Sequence, residues 1–117
     1  MSAESDFRAL LTAAAGVTAL VPAARIAQNV VEQGVVTPYI VFTAQHAPLY
    51  GLDNSLHANQ VQVRVECWAD DAGTADAVAD AVLAALLADG RVVTLRATGA
   101  DPELGLDATV LTAEWWE

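Results

Sequence analysis

The chain has 117 residues, 55% of them hydrophobic in type, and its 15 acids against 5 arginines and no lysine give a formal charge of −10. Such a surface repels phosphate backbones, which disfavours nucleic-acid binding and leaves solubility as the plain reading of the charge. The length suits one domain spanning residues 1–117 around a single core, one cysteine excludes an internal disulfide, and no apolar run approaches the roughly 20 residues of a membrane span.

The N-terminus lacks the basic, apolar and small-residue order of a secretory signal, which predicts that the chain stays in the cytoplasm where it is made. From Ser2 it reads as helix. Phe7, Leu10, Leu11 and Ala14 form one stripe, Val17, Leu20 and Val21 continue it, Ser2 or Ser5 caps the start, and Pro22 is the stop. Gly16 is expected to divide this stretch into a helix and a short turn. Arg25 to Asn29 is a short strand candidate, Val30 to Pro38 an extended connection, and Tyr39 to His46 a strand rich in β-branched and aromatic residues.

Ala47 to Ala58 then reads as a loop between two strands that pair as a hairpin. It is longer than the about 2–5 residues such loops use. It also carries Leu49, Tyr50, Leu52 and Leu56, which a solvated loop does not need. The clearest part of the chain follows. In Asn59 to Ala69, Val61, Val63, Val65 and Cys67 alternate with Gln60, Gln62, Arg64 and Glu66, so one sheet face is apolar. Val78, Ala81, Val82, Ala85 and Leu86 then make a helical stripe that covers that face. Asp70 and Asp71 precede this helix at its positive end and Gly90 closes it. Arg91 to Thr98 is a fourth strand with Val93 and Leu95 alternating against Thr94 and Arg96, Gly99 to Asp107 a turn region, and Ala108 to Trp116 a fifth strand. The order α-β-β-β-α-β-β predicts an α+β fold: a mostly antiparallel sheet of about five strands with two main helices on one face.

No catalytic constellation accompanies this pattern. There is no nucleophile elbow, phosphate loop or zinc-protease motif, so an enzyme is not expected. His46 and His57 flank the long loop, but two histidines need further ligands to hold a metal, so no metal or cofactor site is assigned. Asp101, Glu103, Gly105 and Asp107 share only composition with a calcium loop and read as a solvated turn. Cys67 reads as a buried structural thiol.

The tryptophans carry more information. Trp115 and Trp116 are strand neighbours and point to opposite faces, so one sheet face buries only one of them, and Trp68 ends the polar face of its own strand. Either another segment covers Trp68 and Trp116 or they meet a protein partner, because aromatic side chains are enriched at interface cores. Leu49, Tyr50, Leu52, Leu56, Trp68 and Trp116 are the candidate interface residues.

In order, the helix Phe7 to Ala15, the stretches Val17 to Val21 and Arg25-Ile26, and Thr37 to Phe42 are followed by Val61 to Ala69, the alanine-rich helix and the ending Glu114-Trp115-Trp116. Over nearly the whole chain this succession resembles the tail terminator, or tail completion, proteins of long-tailed bacteriophages. The fourth strand and the Gly99 to Asp107 turn carry no matching signature. The resemblance implies the same α+β fold and a virion protein of the tail–neck junction, present in the host cytoplasm during assembly. It further implies a homo-hexameric ring that contacts the major tail tube protein and the head–tail connector or stopper, with DNA passing through its bore without specific binding and no membrane partner. The alternatives are another neck or minor tail component, or a small cytoplasmic dimeric domain that binds an apolar ligand between sheet and helices.

Overall fold

The computed structural model describes residues 2–29, 36–50 and 56–116. Helix α1 spans Ala3–Ala13, with the Ser2 hydroxyl accepting the Ser5 N–H at 3.1 Å as its cap. The helix stops at Ala14, whose backbone is extended, and a one-turn helix α2 follows over Ala15–Thr18. The break therefore falls two residues before Gly16, which lies inside α2, because the short second turn carries Val17 into the core. A 3₁₀ turn at Ala23–Arg25 leads into strand β1, Ile26–Gln28, so Arg25 belongs to the turn and not to the strand. The Arg8 guanidinium on α1 donates to the carbonyls of Ile26 and Ala23 and fixes the helix to this strand start.

Strands β2 (Tyr39–Tyr50) and β3 (Leu56–Ala69), helix α3 (Ala72–Ala88) and strands β4 (Val92–Asp101) and β5 (Leu106–Trp116) complete the elements. The sheet runs β1-β2-β3-β5-β4, antiparallel except for the β1–β2 pair, so the last strand made sits inside the sheet. α3 begins on the Asp71 carboxylate, which accepts the Thr74 N–H at 2.7 Å; that bond and a second from the Thr74 hydroxyl hold the Asp71 carboxyl below its ordinary value. The helix ends at Gly90, whose φ of +76° allows the Arg91 N–H to return to the Leu86 carbonyl.

Both long helices lie on one face of the sheet. Phe7 and Leu11 of α1, Val78, Val82 and Leu86 of α3, Ile40 and Phe42 of β2, Val61, Val63 and Val65 of β3, and Leu111 and Trp115 of β5 form one buried cluster. These side chains are fully or almost fully buried between the two layers. Polar ties flank it. Thr109 donates to Asp76 at 2.6 Å, and Arg96 bonds Asp80 at 2.7 Å, which joins α3 to β5 and β4.

Three expected boundaries change. Strand pairing continues through Leu49↔Ala58 to Tyr50↔Leu56, so most of the supposed Ala47 to Ala58 loop is strand and satisfies its own backbone groups in the ladder. The Gly99 to Asp107 region is likewise mostly strand. Its turn is residues 102–105, where Asp101 accepts the N–H groups of Glu103 and Leu104 and Gly105 takes a φ of +67°. In β4 a bulge between Val93 and Leu95 reverses the alternation: Val93 faces the core, Arg96 reaches α3, and Leu95 is 57% exposed on the other side.

Cys67 is fully buried on the helix side of β3, and burial pushes its thiol up to about 12, with the nearby Arg96 charge opposing and Glu66 adding. A group raised this far stays protonated at neutral and mildly alkaline pH. We expect thiol labelling at about pH 8 to be absent from the native chain and rapid in denaturant; fast native labelling at one equivalent would contradict the placement.

Candidate functional site

The alternation that buries one side of the sheet leaves the other side without a helix. This open face presents Gln60, Gln62, Arg64, Glu66 and Trp68 from β3, beside Thr43 and Gln45 of β2 and Thr112 and Glu114 of β5. At its centre Arg64 is 61% exposed and approaches Glu66 only to 3.9 Å. At one end the residues are larger. Tyr39 and Val41 are each 8% exposed, and they meet Trp68, Glu66, Asp101 and Leu104 in a shallow groove. The Trp68 ring is half-buried there and donates its indole N–H to Glu66 Oε1 at 3.2 Å. Burial first, and then the charges of Asp101 and Glu66, push the Tyr39 phenol above its ordinary value.

The opposite end of the sheet is drawn out. β3 pairs with β5 only from Gln60 onward, and β1 reaches β2 only at Ile40–Phe42, so Ala47–Tyr50 and Leu56–Asn59 continue as a two-stranded arm beyond the other described strands. The molecule is accordingly elongated, 51 × 30 × 23 Å. The base of the arm is tied to α1 by a 2.6 Å hydrogen bond between His46 Nε2 and Glu4 Oε1. At the far edge β4 is exposed along nearly its whole length, with Val92 56% and Leu95 57% accessible.

The candidate interface residues fall into two groups. Leu49, Tyr50 and Leu56 stand on the arm, and Leu52 lies outside the described residues. Trp68 is on the open face at the groove, and Trp116 stands opposite Gln60 in the ladder, at the start of the arm. The structure thus separates Trp68 from the rest by most of the length of β3. Trp115, its neighbour's opposite in the alternation, is 2% exposed against Phe7. Sequence reasoning missed Tyr39, Val41 and Leu104. Tyr39 and Val41 alternate with Ile40 and Phe42, so the period of two already placed them on the face opposite the core; their proximity to Leu104 depends on the turn register and was not legible.

Among the described residues, the polar side chains of this domain cap helices, close turns and tie layers together. Among the described residues, no helix is long and apolar enough to cross a membrane. A family model described as tail completion protein gp17 matches residues 5–113. The fold is shared with a chain from the virion of a native gene transfer agent particle, with a TM-score of 0.74, 17% identity, and coverage of 92% of this chain and 88% of that one. No curated protein matches the sequence. The protein is a structural component of phage tails. Within that class, the chain belongs to the tail completion protein gp17 family.

The Glu4–His46 contact at the base of the arm has a pH signature. The His46 hydrogen bond, with a backbone bond second, holds the Glu4 carboxyl below its ordinary value against a smaller effect of burial. A depressed carboxyl contributes stability above the ordinary glutamate range and loses it as pH falls through the lowered value. Replacing Glu4→Gln should cost less than about 1 kcal/mol at neutral pH, as for partly exposed pairs, and the gap to the parent should close on acidification in denaturant titrations. A gap that widens in acid would refute the assignment.

Proposed function

We propose that this chain, acting as one domain, forms a homo-hexameric ring that caps the tail tube, stops its polymerisation and joins the tail to the head connector or stopper protein. The observation that carries this reading is the family match over residues 5–113. The virion source of the structurally similar chain supports a place in the particle at the tail–neck junction, after synthesis in the host cytoplasm. The chain's own surfaces supply means for it. A head-to-tail ring requires two different patches on each subunit, because only a heterologous contact generates cyclic symmetry. The exposed β4 edge and the projecting β2–β3 arm are two different surfaces of the subunit and qualify as such a pair.

Leu49, Tyr50, Leu52, Leu56 and Trp116 are then contacts of the arm with the neighbouring subunit or the tube end, and Trp68 is a contact of the open face. The charge of −10 suits a bore through which DNA passes without being held. Catalysis has no part in this role.

Native mass spectrometry of the purified chain, or a reconstruction of the mature neck without imposed symmetry, should give six copies in a closed ring; monomers or two-fold dimers in the particle would overturn the proposal. Trp116→Ala should yield a folded chain that assembles poorly, since truncating an interface anchor costs about 2 kcal/mol or more of association. A variant that instead melts far earlier as a monomer would place Trp116 in the core.

A further inference from the structure

The groove at the end of the open face combines aromatic walls with negative charge. Tyr39 and Val41 form its floor, the half-buried Trp68 ring one wall, and Leu104, 65% exposed on the β4–β5 turn, the other. Glu66 and Asp101 supply a carboxylate each. Glu66 holds the Trp68 indole on Oε1, and its Oε2 has only the distant Arg64. Asp101 takes the Glu103 and Leu104 N–H groups on Oδ1, and among the described residues its Oδ2 accepts no hydrogen bond. Two carboxylates, one with an oxygen that accepts no hydrogen bond among the described residues and one whose second oxygen has the 3.9 Å approach of Arg64, stand beside tyrosine and tryptophan rings and match a planar cation. A guanidinium stacks on an aromatic face and forks two N–H donors toward carboxylates, whereas an ammonium offers only a point charge.

Among the described residues, no arginine of the chain itself stacks on the rings of this groove. The chain has five arginines and no lysine. Arg8 and Arg25 are bound to backbone carbonyls near β1 and β2. Arg91 pairs with Asp89 and lies 3.4 Å over the Trp115 ring, and Arg96 is held by Asp76 and Asp80. Arg64 is the remaining one. Its Nε comes within 3.9 Å of Glu66 Oε2 at the margin of the groove, but it sits four residues from Trp68 along the same strand, about 13 Å away at strand rise, so it does not stack on the aromatic rings. In a second copy it would do so only by packing open face on open face, which is a two-fold contact and not the head-to-tail contact of a ring.

We propose that the groove formed by Tyr39, Val41, Glu66, Trp68, Asp101 and Leu104 is a receptor for an arginine side chain of a different protein. A strongly acidic subunit gains from a basic partner over its whole surface, and the groove gives that attraction a fixed point. The site does not depend on ring formation: it is complete within one copy.

The test uses the full ¹⁵N-labelled chain, with the Trp68 indole N–H resonance assigned through Trp68→Phe. The probes are N-acetyl-arginine amide and N-acetyl-citrulline amide, which has nearly the same shape without the charge. Arginine amide should shift the Trp68 indole N–H saturably, and citrulline amide should bind about tenfold more weakly or worse, the scale of a lost charge-assisted contact. Glu66→Gln should weaken arginine binding by a similar factor while the remaining spectrum stays that of the folded chain, and Asp101→Asn provides the same test from the other carboxylate. Arg64→Gln should leave binding intact or tighten it, because it removes the competing charge beside Glu66. The absence of a saturable shift, equal binding of the two probes, or full affinity in both carboxylate variants would overturn the proposal. Each of these outcomes is read on the free chain, so none of them bears on whether rings form.

Discussion

The structure depends on one aromatic junction. Phe7 projects from α1 and meets Phe42 of β2 with ring centroids 5.1 Å apart and the edge of Trp115 of β5 at 5.7 Å. β2 and β5 are not neighbours in the sheet: β3 lies between them, so the Phe7 ring bridges three strands from above. Large aromatic side chains bury the most area per residue and favour tilted or edge-on contacts of this kind. Arg91 covers the outer side of the Trp115 ring and carries the junction to the turn that ends α3. The N-terminal helix, the central sheet and the far helix therefore share one point of contact, and the flanking Val, Leu and Ile side chains extend it into a continuous core.

Once the core occupies one side of the sheet, the other side is free to differ along its length. Its middle is polar and evenly spaced, its groove end is aromatic and acidic, and its arm end leaves the sheet altogether. These surfaces need no departure from the sandwich plan. They arise because β2 and β3 are longer than the strands beside them and because the β4–β5 turn leans toward Tyr39.

Much of this was legible in the residues. The alternation of Val61, Val63, Val65 and Cys67, the stripe of α3, the Asp71 and Ser2 caps and the Gly90 stop are local signals, and each has its expected partner. The errors share a cause. Ala47 to Ala58 contains proline and aspartate, with glycine between, and reads as loop, yet cross-strand pairing overrides those local preferences as far as Tyr50 and Leu56. Thr94 reads as one step of an unbroken alternation, but a bulge is a property of the pair and has no mark in a single strand. The candidate site was legible in part. That Trp115 is the tryptophan facing the core follows from period two, whereas the meeting of Tyr39, Trp68 and Leu104 joins three segments distant in sequence, which no periodicity reports.

The placement of β5 between β3 and β4 also bears on how the chain reaches its fold. β4 finds its sheet partner only in a strand made after it, and β3 must wait for the same strand across the whole of α3 and β4. Closing so long a loop is entropically slow compared with forming the β2–β3 hairpin. Because β5 is the last strand made, β3 has no partner on that edge until β5 has been synthesised, and Trp115 can reach Phe7 only then. The strand that brings Trp115 into the core is thus the same one that gives β4 its sheet partner.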